Sequence, residues 1–126
     1  MPAQLEHANY TVSDPAATAA WMEKLFGWHI RWQGDAIAGG RTVHVGTDTQ
    51  YVALYTPGTK MRDGGSSYTA VGGLNHVAVV VDDLDETETA IREHGFTTGN
   101  HGDYEPGRRF YFHDNDGIEY EVVQYD

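Results

Sequence analysis

The chain says the same thing twice. Leu5-Glu6-His7-Ala8-Asn9-Tyr10-Thr11-Val12-Ser13-Asp14 returns as Leu74-Asn75-His76-Val77-Ala78-Val79-Val80-Val81-Asp82-Asp83, an offset of 69 (76 − 7). Each segment runs into a helical pattern that stops at a glycine beside an aromatic residue, Phe26-Gly27-Trp28 and then His94-Gly95-Phe96, at an offset of 68 (95 − 27). Arg41-Thr42-Val43-His44-Val45 aligns with Arg109-Phe110-Tyr111-Phe112-His113 at that same offset of 68. An internal duplication fixes the architecture before any single element is assigned.

Each half reads as a strand, a helix and three strands. Residues 5–12 are rich in β-branched and aromatic side chains, which suits extended structure. Asp14-Pro15 is a helix start, because Asp accepts from free amide groups and Pro at the first helical position gives up no needed donor. Ala17, Trp21, Leu25 and Trp28 then recur at helical spacing, and Gly27 ends the helix. The second helix is expected over about 83–94, with Leu84, Thr87 and Ile91 inward and Gly95 as its stop. Further strands are expected at about 28–33, 41–46 and 50–55, then at 96–100, 108–113 and 118–124. Thr56-Pro57-Gly58-Thr59 and the Gly/Ser-rich stretch after it have no apolar period and read as a connector. The expectation is one domain of two modules, 1–56 and 73–126, joined by a linker over 57–72.

Strand alternation puts Leu5, His7, Asn9 and Thr11 on one face and Ala8, Tyr10 and Val12 on the other. The second copy puts His76 with Leu74, Ala78 and Val80, opposite Val77, Val79 and Val81. Two imidazoles thus occupy equivalent positions on the face turned away from the helix, and two-fold pseudo-symmetry would bring them together. In Asp116-Gly117-Ile118-Glu119-Tyr120-Glu121-Val122-Val123 a turn precedes another alternation, with Ile118, Tyr120 and Val122 packed and Glu119 and Glu121 opposite. A carboxylate among bulky neighbours is costly to bury without a partner. A divalent cation shared by His7, His76 and Glu121 would remove that cost and leave coordination positions open for a ligand. Cysteine is absent, so thiolate sites, disulfides and a cysteine nucleophile are excluded and any metal has nitrogen and oxygen donors. With 19 acidic against 8 basic residues, the formal charge of −11 repels nucleic acid. No run spans a bilayer and the start lacks a basic-then-apolar leader, so a soluble, cytoplasmic protein is expected.

The order of elements and the ending Phe110-Tyr111-Phe112-His113-Asp114-Asn115-Asp116-Gly117-Ile118-Glu119-Tyr120-Glu121-Val122 resemble the vicinal oxygen chelate superfamily of glyoxalases, bleomycin-resistance proteins and extradiol dioxygenases. The resemblance implies an α+β fold, two βαβββ modules whose curled mixed sheets surround a central cavity. It matches His7, His76 and Glu121 to metal ligands, with iron, zinc, nickel or manganese as the ion. Ala53 stands where glyoxalase I-like members carry a fourth ligand, and Gln50 falls on the other face. Catalytic candidates are Glu121, His44, Tyr111 and His113, the last three for acid/base work, although alternation admits only one set from each of strands 41–46 and 108–113. Arg108 or Arg109 is a candidate for a substrate anion, and Trp32 for a cavity aromatic. The implied function is a metal-dependent dioxygenase- or lyase/isomerase-like enzyme for a small molecule that chelates through adjacent oxygens. The alternative is a metal-free protein that sequesters a small molecule as bleomycin-resistance proteins do. A homodimer is the implied assembly.

Overall fold

The computed structural model describes residues 1–64 and 67–126. Gly65 and Ser66, within the expected linker 57–72, lie outside the described residues. The chain divides into two compact units, Met1–Asp63 and Gly64–Asp126. Each is a strand, a helix and three strands, so the α+β class with two βαβββ modules read from the sequence is the observed one.

In the first unit, β1 (His7–Thr11) leads to α1 (Pro15–Phe26), then β2 (His29–Asp35), β3 (Arg41–Gly46) and β4 (Tyr51–Thr56). The sheet order is β1-β4-β3-β2, with β1 parallel to β4 and the other pairs antiparallel. Asp14 caps α1 by accepting from the Ala17 amide at 3.1 Å, and Gly27 ends it at φ 70°. The buried face of α1 carries Pro15, Thr18, Met22 and Leu25, joined by Ala19 and Trp21. Ala17, expected inward, is exposed. The stripe follows the steps of three and four residues from Pro15, and those steps turn Ala17 outward. Val12, Val43, Val45, Val52 and Leu54 complete this core.

In the second unit, β5 (Val77–Val80), α2 (Leu84–His94), β6 (Thr98–Tyr104), β7 (Gly107–His113) and β8 (Glu119–Tyr125) repeat the plan with sheet order β5-β8-β7-β6. Asp83 accepts from the Glu86 amide at 3.0 Å and Gly95 takes φ 114°. Under α2, Phe112 stacks between Phe96 and Tyr120 at centroid distances of 5.6 and 5.3 Å, beside buried Leu84, Ile91, Phe110 and Val122.

Pairing corrects one part of the repeat alignment. Ala53 faces His44 across β3–β4, and Glu121 faces Tyr111 across β7–β8. Ala53 and Glu121 keep the offset of 68 (121 − 53), but His44 corresponds to Tyr111 at 67 (111 − 44). The extra residue sits in the turn, which takes residues 47–50 in the first hairpin and 114–118 in the second. Because side chains alternate, a slip of one residue is enough to change which β7 residues match β3.

Candidate metal and acid/base site

Each sheet buries one face against its helix and collects its chemistry on the other. Register fixes the second unit's polar face: Tyr111 lies beside Glu121 and Glu121 beside Ala78, while His113 lies beside Glu119. On strand 108–113, Arg109, Tyr111 and His113 share the face of Glu119 and Glu121. Phe110 and Phe112 go to the core. His76, one residue before β5, presents its ring to the same face, with Nε2 3.1 Å from Glu121 Oε1.

Glu121 is only 7% exposed, and two groups answer its charge. Arg109 Nη1 donates to Oε2 at 2.8 Å, while Oε1 faces His76. The Arg109 guanidinium also lies over the Tyr104 ring, 4.7 Å from its centroid, and its buried Nε has no hydrogen-bond partner among the described residues. The hydrogen bond to Glu121 raises the Arg109 pKa further. Glu119, equally buried, accepts from the Tyr68 hydroxyl; losing that bond would cost the carboxylate, so the Tyr68 phenol is pushed up to about 12. His76 Nδ1 and His113 Nε2 are more distant from Glu119, at 3.7 and 3.9 Å. Burial, followed by the charge of Glu121, raises the Tyr111 pKa, so the phenol keeps its proton at neutral pH. The Tyr111 ring meets His76 edge-on at 5.8 Å. Arg108, on the opposite face, pairs with Asp85 of α2 at 3.2 Å. The two arginines considered for a substrate anion are therefore both engaged by carboxylates of this chain.

In the first unit, His7 stacks on Tyr51 at 4.7 Å, and Tyr51 stacks on His44 at 4.8 Å. Trp32, 52% exposed, tilts against His44 at 5.2 Å, and Arg31 covers the Tyr51 ring at 4.4 Å. Desolvation, then the neighbouring His7, lowers the His44 pKa. Glu6 Oε1 lies 2.9 Å from His7 Nδ1, and that hydrogen bond holds the Glu6 carboxyl below its usual range. Ala53 offers no donor, and Gln50 belongs to the hairpin turn, where its carbonyl accepts from Thr47. Trp21 is core, and Trp28 packs edge-on against Phe26.

Within either unit, among the described residues, no three His, Asp or Glu side chains gather as a closed cation site. The second unit offers a pair, His76 and Glu121, and the pair suits a cation. Bonds of about 2.1 Å meeting at right angles put two donors about 3.0 Å apart. Nε2 and Oε1 stand 3.1 Å apart, and Arg109 occupies the other carboxylate oxygen without blocking Oε1. The reading of the sequence missed Glu6, Asn75, Tyr68 and the tie between Arg109 and Glu121. A signal for the first two was present, because each repeat histidine follows a side chain bearing an acceptor oxygen.

The family model for the Glyoxalase/Bleomycin resistance protein/Dioxygenase superfamily matches residues 4–122, and the chain belongs to that superfamily. No curated protein matches it. Among solved structures, a glyoxylase/bleomycin resistance protein/dioxygenase domain from Frankia sp. EAN1pec is 18% identical with a TM-score of 0.81, covering 100% of this chain and 94% of that one. TnmS3, an antibiotic binding protein from Streptomyces sp. CB03234, is 18% identical with a TM-score of 0.72, covering 99% of this chain and 98% of that one. The fosfomycin resistance protein FosX from Listeria monocytogenes, complexed with Mn(II) and sulfate, is 17% identical with a TM-score of 0.71, covering 100% of this chain and 95% of that one. At such identities the likeness is one of fold.

Proposed function

We propose that this protein is a metal-dependent enzyme of the vicinal oxygen chelate kind, acting on a small molecule that offers two adjacent oxygens. The observation that carries the reading is the His76 Nε2 to Glu121 Oε1 spacing of 3.1 Å on a face where Glu121 is buried. His76 and Glu121 are two donors, and the reading takes His7, at the equivalent position of the first repeat, as the third. A divalent ion held there supplies Lewis acidity toward negative charge developing on the substrate oxygens. Tyr111, its proton retained beside Glu121, serves as a hydrogen-bond donor to a bound oxygen and as a general acid. His113, more solvated, is placed to exchange protons with water, and His44 does so from the first unit. Arg109 orients Glu121 and tempers its charge. The proposed assembly is a cytoplasmic homodimer.

A second reading, sequestration without metal, draws on the open aromatic surface of Trp32, His44 and Tyr51. Metal analysis of protein purified without added metal or chelator separates the two. The enzyme reading expects close to one ion per site, lost in His76→Ala and Glu121→Ala, with turnover in a screen of catechols and glutathione adducts. Metal-free protein that regains no ion on incubation with Mn(II), Zn(II), Ni(II) or Fe(II), yet binds aromatic ligands, would replace it with the second reading.

A further inference from the structure

Two glycines of β6 leave room on the polar face of the second sheet, and only one of the two spaces is filled. Gly99 pairs with Tyr111 and Gly102 with Arg109, with a bulge between them at Asn100 and His101. The Tyr104 ring lies against Gly102 and beneath the Arg109 guanidinium, which occupies that space. Over Gly99 nothing does the same. A β-carbon built there would meet no atom within 4 Å among the described residues, and its backbone is not left-handed. A cavity of about 420 Å3 opens at this point, bordered by Thr97, Gly99, Asn100, Tyr111, His113 and Asn115. That volume lies at the small end of ligand sites, about 300–1,000 Å3. Its wall is held from behind: Thr98 Oγ1 donates to Glu88 of α2 at 2.5 Å, and His101 Nε2 lies 2.6 Å from the same carboxylate. A hollow fixed in advance loses little freedom when a ligand enters.

The lining is polar and carries no fixed charge. Thr97 and Tyr111 bear hydroxyls, Asn100 and Asn115 carboxamides and His113 an imidazole, and among the described residues no Lys, Arg, Asp or Glu borders the hollow. Hydroxyls and carboxamides both donate and accept, so they match an uncharged hydroxyl or amide group better than an ion. The bare peptide at Gly99 is a floor for something flat. Tyr111 is shared, because it borders the hollow and its ring also meets His76 edge-on at 5.8 Å. A molecule held at His76 and Glu121 reaches the hollow by extending past that one ring. We propose that the hollow over Gly99 is a second subsite, taking a flat, uncharged substituent with a hydroxyl or amide group on the substrate whose adjacent oxygens meet the metal. The proposal deepens the metal-dependent reading above and rests on it for the chelating end alone.

The test uses benzamide, the substituent alone, on metal-free protein, and protocatechuamide, protocatechuate and catechol on Mn(II)-loaded protein, at about pH 8 where an ordinary histidine is neutral. Benzamide is expected to shift the backbone amide resonances of residues 97–100 and of Asn115. Gly99→Leu, which fills the hollow from its floor, should abolish those shifts. By calorimetry protocatechuamide should bind about 5- to 10-fold more tightly than catechol or protocatechuate. That advantage should vanish in Gly99→Leu and shrink in Asn115→Ala, an exposed turn position that packs no core. If Gly99→Leu fails to fold, Asn115→Ala decides. Benzamide shifts that are absent or lie elsewhere, or a preference for the amide that the variants leave unchanged, would overturn the proposal. Benzamide shifts confined to the hollow and abolished by Gly99→Leu, in a protein that takes up no Mn(II), would uphold the subsite and overturn the metal reading instead.

Discussion

A carboxylate that is 7% exposed needs its charge answered, and Glu121 has Arg109 on one oxygen and His76 on the other. Glu121→Ala leaves the Arg109 guanidinium, 14% exposed, without its anion. Breaking the pair from one side leaves the remaining charge unpaired, a loss of stability expected in urea denaturation. Glu121→Leu combined with Arg109→Met should recover most of it, because both charges leave together. His44 gives a second prediction. Its folded pKa is depressed by burial, so the unfolded chain takes up the proton first as pH falls. Stability present above the ordinary imidazole value is therefore lost as pH drops through the lower, folded one. Melting temperatures measured between pH 7.5 and 5 should fall less for His44→Gln than for the wild type.

Elements show where the sequence was readable. Both helices were, because Asp14 with Pro15 and Asp83 mark their starts and Gly27 and Gly95 their ends. The inward set of α1 was misjudged at Ala17, since a run of alanines carries no contrast between faces. β6 was expected to stop near residue 100 but extends to Tyr104. Thr98-Gly99-Asn100-His101-Gly102-Asp103-Tyr104 has little intrinsic strand preference, and its pairing with β7 holds it extended through a bulge. The face of Tyr111 became clear only from register, because the turn before β8 holds one residue more than its counterpart. Asp114 organises that turn: Oδ1 accepts from the Asp116 and Ile118 amides at 2.9 and 3.0 Å, and Oδ2 from the Tyr120 hydroxyl at 3.3 Å. Asp114→Ala should cost about 2 kcal/mol and increase amide exchange along β8. Burial raises the Asp114 pKa, so its contribution to pH-dependent stability is greatest below the ordinary aspartate value and declines as pH rises through the folded one. Asp114→Asn should flatten that part of the stability profile in urea titrations between pH 3 and 6.

At the scale of the molecule, the duplication and the family were legible because they are written in element order, which tolerates low identity between the halves. The contacts of the candidate donors were legible only in part. Alternation pointed to His76 and Glu121, whereas the ion pair with Arg109 and the hydrogen bonds to Glu6 and Asn75 depend on side-chain reach that spacing does not encode. No helix among the described residues is long and apolar enough to cross a membrane. A formal charge of −11 on 126 residues makes the folded state self-repelling, so the melting temperature should rise as sodium chloride screens it. A melting temperature indifferent to salt would mean that local pairs already neutralise the surface. The central proposal is that His76 and Glu121, 3.1 Å apart, hold a divalent ion. Pulsed electron paramagnetic resonance of Mn(II)-loaded protein counts the nitrogens bound to the metal. The account predicts an imidazole coupling that is lost in His76→Ala; a spectrum with no imidazole nitrogen, or with a coupling that His76→Ala leaves unchanged, would contradict it.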